Sequence, residues 1–359
     1  MKKVSFITHL ASFNQYGGVE TQLKNIYNNI NEKSSDYKAK LFNMWEDDIL
    51  DCDILHVFNP FFMGFELDFL LNKIKNSDTK LVVYPVFTFH PGASKVGSSL
   101  PFLRIFEEIF LKMRMKLRSN QMFSYFDPFS HIHSLLENSD MIIVQNEIER
   151  NNINKFFNLP NNLFHTVHNG IDMMFKDGDP KLFRDEIGEE DYILFVGRIE
   201  PIKNVESLIR AYVKSDLPAK LVIVGKESDQ DYFKRCLEQA NKDVIFHTHM
   251  PYGSPLHLSV YAGARVFALP SRFEICGMAG LEAGLAGANV VVTSNGGTRE
   301  YYKDYATYAD PYDIDSITDA LIKAYNSPRN GDLARHVEKN YSWDVITSEV
   351  ISAYDSLFE

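Results

Sequence analysis

Cysteine is scarce in this chain of 359 residues, and Cys52, Cys236 and Cys276 stand far apart. They form neither a C-x-x-C metal pattern nor an even set for a disulfide framework, so free thiols in a reducing compartment are expected. Basic residues are outnumbered, 37 Lys and Arg against 48 Asp and Glu. The resulting formal charge of −11 argues against nucleic acid as a partner, because phosphate backbones are gripped by a net basic surface. No apolar run approaches the roughly 18–20 residues that span a bilayer, so any membrane contact is expected to be peripheral. Low-complexity tracts and internal repeats are missing as well, which sets aside disordered and solenoid architectures. The opening MKKVSFITHLASFNQYGG has the lysines of a signal peptide, but Thr8, His9, Asn14 and Gln15 break its apolar stretch, and it reads as a first strand. A cytoplasmic protein, at most at the inner face of the membrane, is the expectation.

What is present is an ordinary globular composition, 45% hydrophobic and 24% charged, in a chain longer than one core usually serves. Short apolar runs alternate with amphipathic helical patterns. VSFITHL, DILHVF, KLVVYPVF and MIIVQN come first; a charged stretch rich in Gly and Pro runs from Asp172 to Asp191; YILFVGRI, KLVIVGK, DVIFHT, ARVFALP and NVVVTS follow. Strands alternating with helices imply parallel sheets covered on both faces. The expected fold is therefore α/β, with two Rossmann-like doubly wound domains over 1–171 and 172–342. The helical stretch in 343–359 is long enough to cross back onto the first domain. A ligand is expected in a cleft between them, at the carboxyl ends of the strands.

The most informative segment is SRFEICGMAGLEAGLAGANVVVTSNGGTREYY, Ser271 to Tyr302. Glu274 precedes Gly277, which opens a helix, and Glu282 lies slightly more than two turns further on. The backbone of Ile275, Cys276, Gly277 and Met278 at that helix start is a natural seat for a diphosphate. The second glutamate can then accept ribose hydroxyls while the first reaches the sugar. Upstream, in FVGRIEPIKN, a strand ends at Gly197, Arg198 follows, and Lys203 stands five further on. Two cations at a strand's carboxyl end suit a leaving diphosphate, whose charge grows as the glycosidic bond breaks. Taken singly, each of these four charges reads as a solvated surface residue.

Together they resemble the retaining transferases of glycosyltransferase family four, whose signature looks like strand-Gly-Arg-x4-Lys followed by Glu-x7-Glu and a Gly-Gly turn. Here Gly197, Arg198, Lys203, Glu274, Glu282, Gly296 and Gly297 stand in that order. The resemblance implies the two-lobed GT-B fold, a nucleotide diphosphate-sugar donor and retention of anomeric configuration. Gly17 and Gly18 resemble the family's glycine loop against the donor, and VHNGID resembles its interdomain junction, with Asn169 and Gly170 as turn residues. His90 stands where family members often carry a histidine facing the donor sugar, though Pro91 and Gly92 depart from the pattern. The acceptor implied is a glycan or lipid-linked glycan of the cell envelope.

Three Asp-x-Asp runs, at Asp51 and Asp53, Asp177 and Asp179, and Asp313 and Asp315, sit at places that favour turns and N-caps. They are read as structural, with no metal or other cofactor required. In 101–120, Phe102, Phe106, Ile109, Met113 and Leu117 fall on one helical stripe, while Lys112, Arg114, Lys116 and Arg118 cluster at the end of the segment, a pattern that suits either core packing or an anionic bilayer. A non-catalytic glycan-binding or transferase-supporting partner of the same fold is the competing reading. A nicotinamide enzyme is ranked below both, since no G-x-G-x-x-G follows a strand.

Overall fold

The computed structural model describes residues 1–9, 12, 17–43, 45–64, 66–87 and 129–359. Of these, 1–87, 129–170 and Trp343–Glu359 form one compact unit, and Ile171–Ser342 form a second.

The first unit is built on β1 (Lys2–Ile7), β2 (Tyr37–Leu41), β3 (Ile54–Phe58), β4 (Lys80–Tyr84), β5 (Met141–Val144) and β6 (Phe164–Thr166), in the order β2-β1-β3-β4-β5-β6. Every pairing is parallel. Two inner strands, ILHVF and MIIV, are predominantly apolar and buried at every residue, as a sheet covered by helices on both faces demands. Helix Gly18–Lys33 turns Leu23, Ile26 and Ile30 inward at three- and four-residue spacing. His56 interrupts the apolar centre of β3, fully buried, and its Nδ1 lies 2.6 Å from the Tyr354 hydroxyl.

Tyr354 belongs to the helix Trp343–Asp355, which returns to the first unit. Tyr37 donates to Asp355 Oδ1 at 2.7 Å, and Lys33 pairs with Asp344. Gly170 lies under the Trp343 ring so closely that a Cβ there would overlap it, while Asn169 is buried among Tyr84 and Gln145.

The second unit repeats the architecture with β7 (Tyr192–Val196), β8 (Lys220–Val224), β9 (Val244–His247), β10 (Val266–Leu269), β11 (Asn289–Thr293) and β12 (Thr307–Ala309), in the order β12-β11-β10-β7-β8-β9. The strand order reverses between β7 and β10. The loops that leave these two neighbours at their carboxyl ends therefore diverge there, which is where open parallel sheets hold ligands. The charged stretch after Asp172 is not a bare linker. It folds into the second unit as a turn, Met173–Asp177, and a helix, Pro180–Ile187, packed on helix Pro255–Gly263. Asp179 caps that helix and Phe183 is buried beneath it, so local capping and one apolar anchor outweigh the breaker composition.

Candidate functional site

The site is built from the loops after β7 and β10. Gly197 N donates to Val224 O at 3.0 Å, and Gly225 on the neighbouring strand end packs so tightly on the Gly197 carbonyl that a side chain there would collide with it. The chain then presents Arg198, whose side chain is 66% exposed and whose Nη2 lies 2.9 Å from Glu200 Oε1. A short turn, Pro201–Lys203, leads to Asn204 in the left-handed region (φ 59°). The buried Asn204 amide donates to the carbonyls of Pro270, at 3.0 Å, and Pro311, at 2.8 Å. That amide ties the β7 loop to the β10 loop. Lys203 is thereby delivered to Glu274, Nζ to Oε1 at 2.6 Å, with the two side chains 22% and 10% exposed.

Glu274 is held through its backbone as well. Its N–H reaches Asn295 O at 3.3 Å, and Gly297 N donates to its carbonyl at 2.9 Å. Gly296, at φ +100°, lies where any Cβ would strike that same carbonyl, so the Gly-Gly turn is a steric requirement for seating the glutamate. Gly277 adopts φ +75°, and its carbonyl accepts from the Tyr302 hydroxyl at 2.6 Å. Helix Met278–Leu285 starts there, and in its first turn Gly280 N donates back to Gly277 O at 2.9 Å.

Glu282 faces inward from this helix. Its Oε2 accepts from the Tyr261 hydroxyl at 2.7 Å, and burial pushes its carboxyl up to about 7. The negative charge of Asp172 acts in the same direction, while the phenols of Tyr261 and Tyr252 oppose it. The same environment holds the Tyr261 phenol well above its ordinary range, through burial first and the Glu282 charge second.

Neither glutamate is a solvated surface carboxylate, since Glu274 is 9% exposed and Glu282 6%. Gly197, Arg198, Lys203, Glu274, Ile275, Cys276, Gly277, Met278 and Glu282 all fall within the second unit, and Lys203 and Glu274 bond each other directly. Gly17 and Gly18 stand at the start of helix Gly18–Lys33, after the carboxyl end of β1, with Gly17 N bonded to Glu20 Oε2 at 3.0 Å. His90 and the 101–120 segment lie outside the described residues.

The Asp-x-Asp runs serve local structure. Asp179 and Asp313 are N-caps, Asp51 pairs with Lys3, and Asp53 Oδ2 accepts from Lys3 N at 2.6 Å. Among the described residues no three His, Cys, Asp or Glu side chains gather as a metal set, and no helix is long and apolar enough to cross a membrane. Residues missed by sequence reasoning are Glu200, Asn204, Tyr261 and Tyr302. Glu200 carried a signal, a third charge between Arg198 and Lys203; Tyr261, inside an apolar helix, and Tyr302, at the end of the short helix Thr298–Tyr302, carried none.

Residues 181–342 match the family model described as Glycosyl transferases group 1. An uncharacterized glycosyltransferase of Methanocaldococcus jannaschii is 30% identical over 258 residues, covering 66% of this chain and 66% of that protein. The O-antigen chain mannosyltransferase B of Escherichia coli is 26% identical over 242 residues, 63% of each chain. The matched stretch thus spans slightly under two thirds of these relatives. The Anabaena protein HepE, solved in complex with UDP and glucose, superposes with a TM-score of 0.71 over 99% of this chain and 100% of its own, at 14% identity.

Proposed function

We propose that this chain, a two-domain GT-B protein with a group 1 glycosyltransferase domain, is a retaining glycosyltransferase that takes a sugar from a nucleotide diphosphate-sugar. The Lys203–Glu274 pair, set 2.6 Å apart where the strand order reverses and beside the start of helix Met278–Leu285, is the observation that carries this reading. Arg198 and Lys203 meet the diphosphate together with the helix's amino end, and they supply the positive charge for which other transferases use a metal. Glu282, turned inward along the same helix, receives the ribose hydroxyls. Glu274 orients the sugar and, through Lys203, the phosphate next to it.

Retention follows the family pattern, in which the acceptor hydroxyl approaches from the face that the diphosphate leaves and a phosphate oxygen takes its proton. The acceptor is a glycan or lipid-linked glycan of envelope polysaccharide or glycolipid synthesis. The relative named as an O-antigen chain mannosyltransferase supports that class.

The test is to incubate the full chain with UDP-, GDP- and ADP-sugars and a lipid-linked glycan acceptor, with and without EDTA, and to follow nucleoside diphosphate release and the anomeric configuration of the new glycosidic bond by NMR. Release unaffected by EDTA, with retained configuration, is expected. Inversion, or loss of activity with chelator, would remove the retaining or the metal-independent part of the reading. No turnover with any donor would favour the binding-partner alternative.

A further inference from the structure

Both cations assigned to the diphosphate stand against carboxylates, but in two different ways. Lys203 and Glu274 share a directed hydrogen bond of 2.6 Å. Arg198 Nη2 is 2.9 Å from Glu200 Oε1, yet that oxygen is buried and has no hydrogen-bond donor among the described residues. The two are held by charge without an N–H aimed along the bond. Glu200 itself is well fixed. Its carbonyl accepts from Lys203 N at 3.0 Å, the preceding Ile199 N donates to Lys226 O at 2.9 Å, and its side chain is 13% exposed while that of Arg198 is 66% exposed.

A carboxylate oxygen withdrawn from water without a donor is poorly solvated, and a nearby guanidinium compensates it only through Coulomb attraction. That guanidinium is readily drawn to an anion offering two well-placed oxygens, because bidentate charge-assisted bonds are the stronger ones. The fixed partner is the carboxylate and the exposed partner is the arginine, so Arg198 is the member that moves.

We propose that Glu200 is a positioning residue: it holds the Arg198 guanidinium at the carboxyl end of β7 and is the counterion that the donor's diphosphate displaces, so that Glu200 sets nucleoside diphosphate affinity. The inference rests on the donor-site reading above. Binding is then an exchange of one anion for another on Arg198, and the Glu200 charge opposes it twice, by competing for the guanidinium and by repelling the phosphates.

Isothermal titration of UDP, GDP and ADP into the full-length wild type and Glu200→Gln tests it, with the parent nucleosides as ligands lacking phosphate. Glu227→Gln serves as a control for the same change of net charge in the loop after the neighbouring strand β8. For the nucleoside diphosphate that wild type binds best, Glu200→Gln is expected to bind about tenfold tighter, the size of one relieved charge interaction near a protein surface. The matching nucleoside should bind both proteins equally, and Glu227→Gln should behave as wild type. An unchanged or weaker Kd in Glu200→Gln, equal tightening toward the nucleoside, or the same gain in Glu227→Gln would each overturn the inference while leaving the donor site standing. If wild type binds none of the three diphosphates, the donor-site reading falls and takes this inference with it.

Discussion

Replacing Glu282 by glutamine removes one ionisation from the interior of the second unit and nearly preserves its shape. Glu282 is 6% exposed, its partner is the Tyr261 hydroxyl rather than a cation, and burial pushes its carboxyl up from 4.5 to about 7. Between those two values the native protein keeps a proton that the unfolded chain has released. The native state thus binds more protons, and stability falls as pH rises through the window, with the loss complete above about 7. For a single site with these two values, the loss between pH 5 and pH 8 amounts to roughly 2–3 kcal/mol.

Glu149 works in the same direction, since burial also pushes its carboxyl up to about 7 while two backbone N–H groups, of Gln145 and Phe87, oppose the shift. It is common to both proteins and cancels in their comparison. Urea unfolding followed by circular dichroism at pH 5 and pH 8 is therefore informative. Wild type should lose about 2–3 kcal/mol more than Glu282→Gln on going from the lower to the higher pH. Parallel pH dependence in the two proteins would refute the claim that Glu282 is a buried carboxylate ionising at a stability cost. The same ionisation prepares the group for its proposed ligand, because a charged carboxylate is the better acceptor for ribose hydroxyls. Nucleoside diphosphate affinity should accordingly rise with pH and level off above about 7, and Glu282→Gln should flatten that rise.

Arg198→Ala is expected to lower turnover about 10²- to 10³-fold, because the guanidinium meets charge that develops only as the glycosidic bond breaks; steady-state kinetics showing normal kcat would remove its assigned role. Gly296→Ala places a Cβ against the Glu274 carbonyl in a backbone at φ +100°, and calorimetry should show a loss of about 2–4 kcal/mol, accompanied by weakened donor binding. Tyr354→Phe deprives the fully buried His56 of its Nδ1 partner, and denaturation should register a cost of about 1–3 kcal/mol. That cost should be flat from pH 5 to 8, since burial depresses His56 to about 3 and keeps it neutral throughout.

The central strands could be read from composition because parallel strands buried on both faces become predominantly apolar runs, as in MIIV of β5, LVIV of β8 and, with His56 its one polar residue, ILHVF of β3. The strands that escaped notice were β2 (YKAKL), β6 (FHT) and β12 (TYA), and each lies at a sheet edge. An edge strand has one neighbour and less to bury, so its sequence is short and mixed and resembles a loop.

The candidate site divides along a similar line. Gly296 and Gly277 were visible because a left-handed or crowded backbone admits little but glycine, and the charged residues were visible because charge in an apolar context is conspicuous. The partner each charge chooses was hidden, because a partner is a property of packing rather than of spacing. Asn204 reaches Pro270 and Pro311 across 66 and 107 residues of chain, and Lys203 reaches Glu274 across 71. No local period encodes those separations; the contacts to Pro270 and Glu274 follow from β7 and β10 being neighbours in a sheet whose order reverses between them, and the contact to Pro311 brings in the loop after β12. The eight-residue interval between the two glutamates therefore predicts that both lie near one helix, while only the fold makes Glu274 an anchor for a lysine and Glu282 a buried acid bonded by Tyr261.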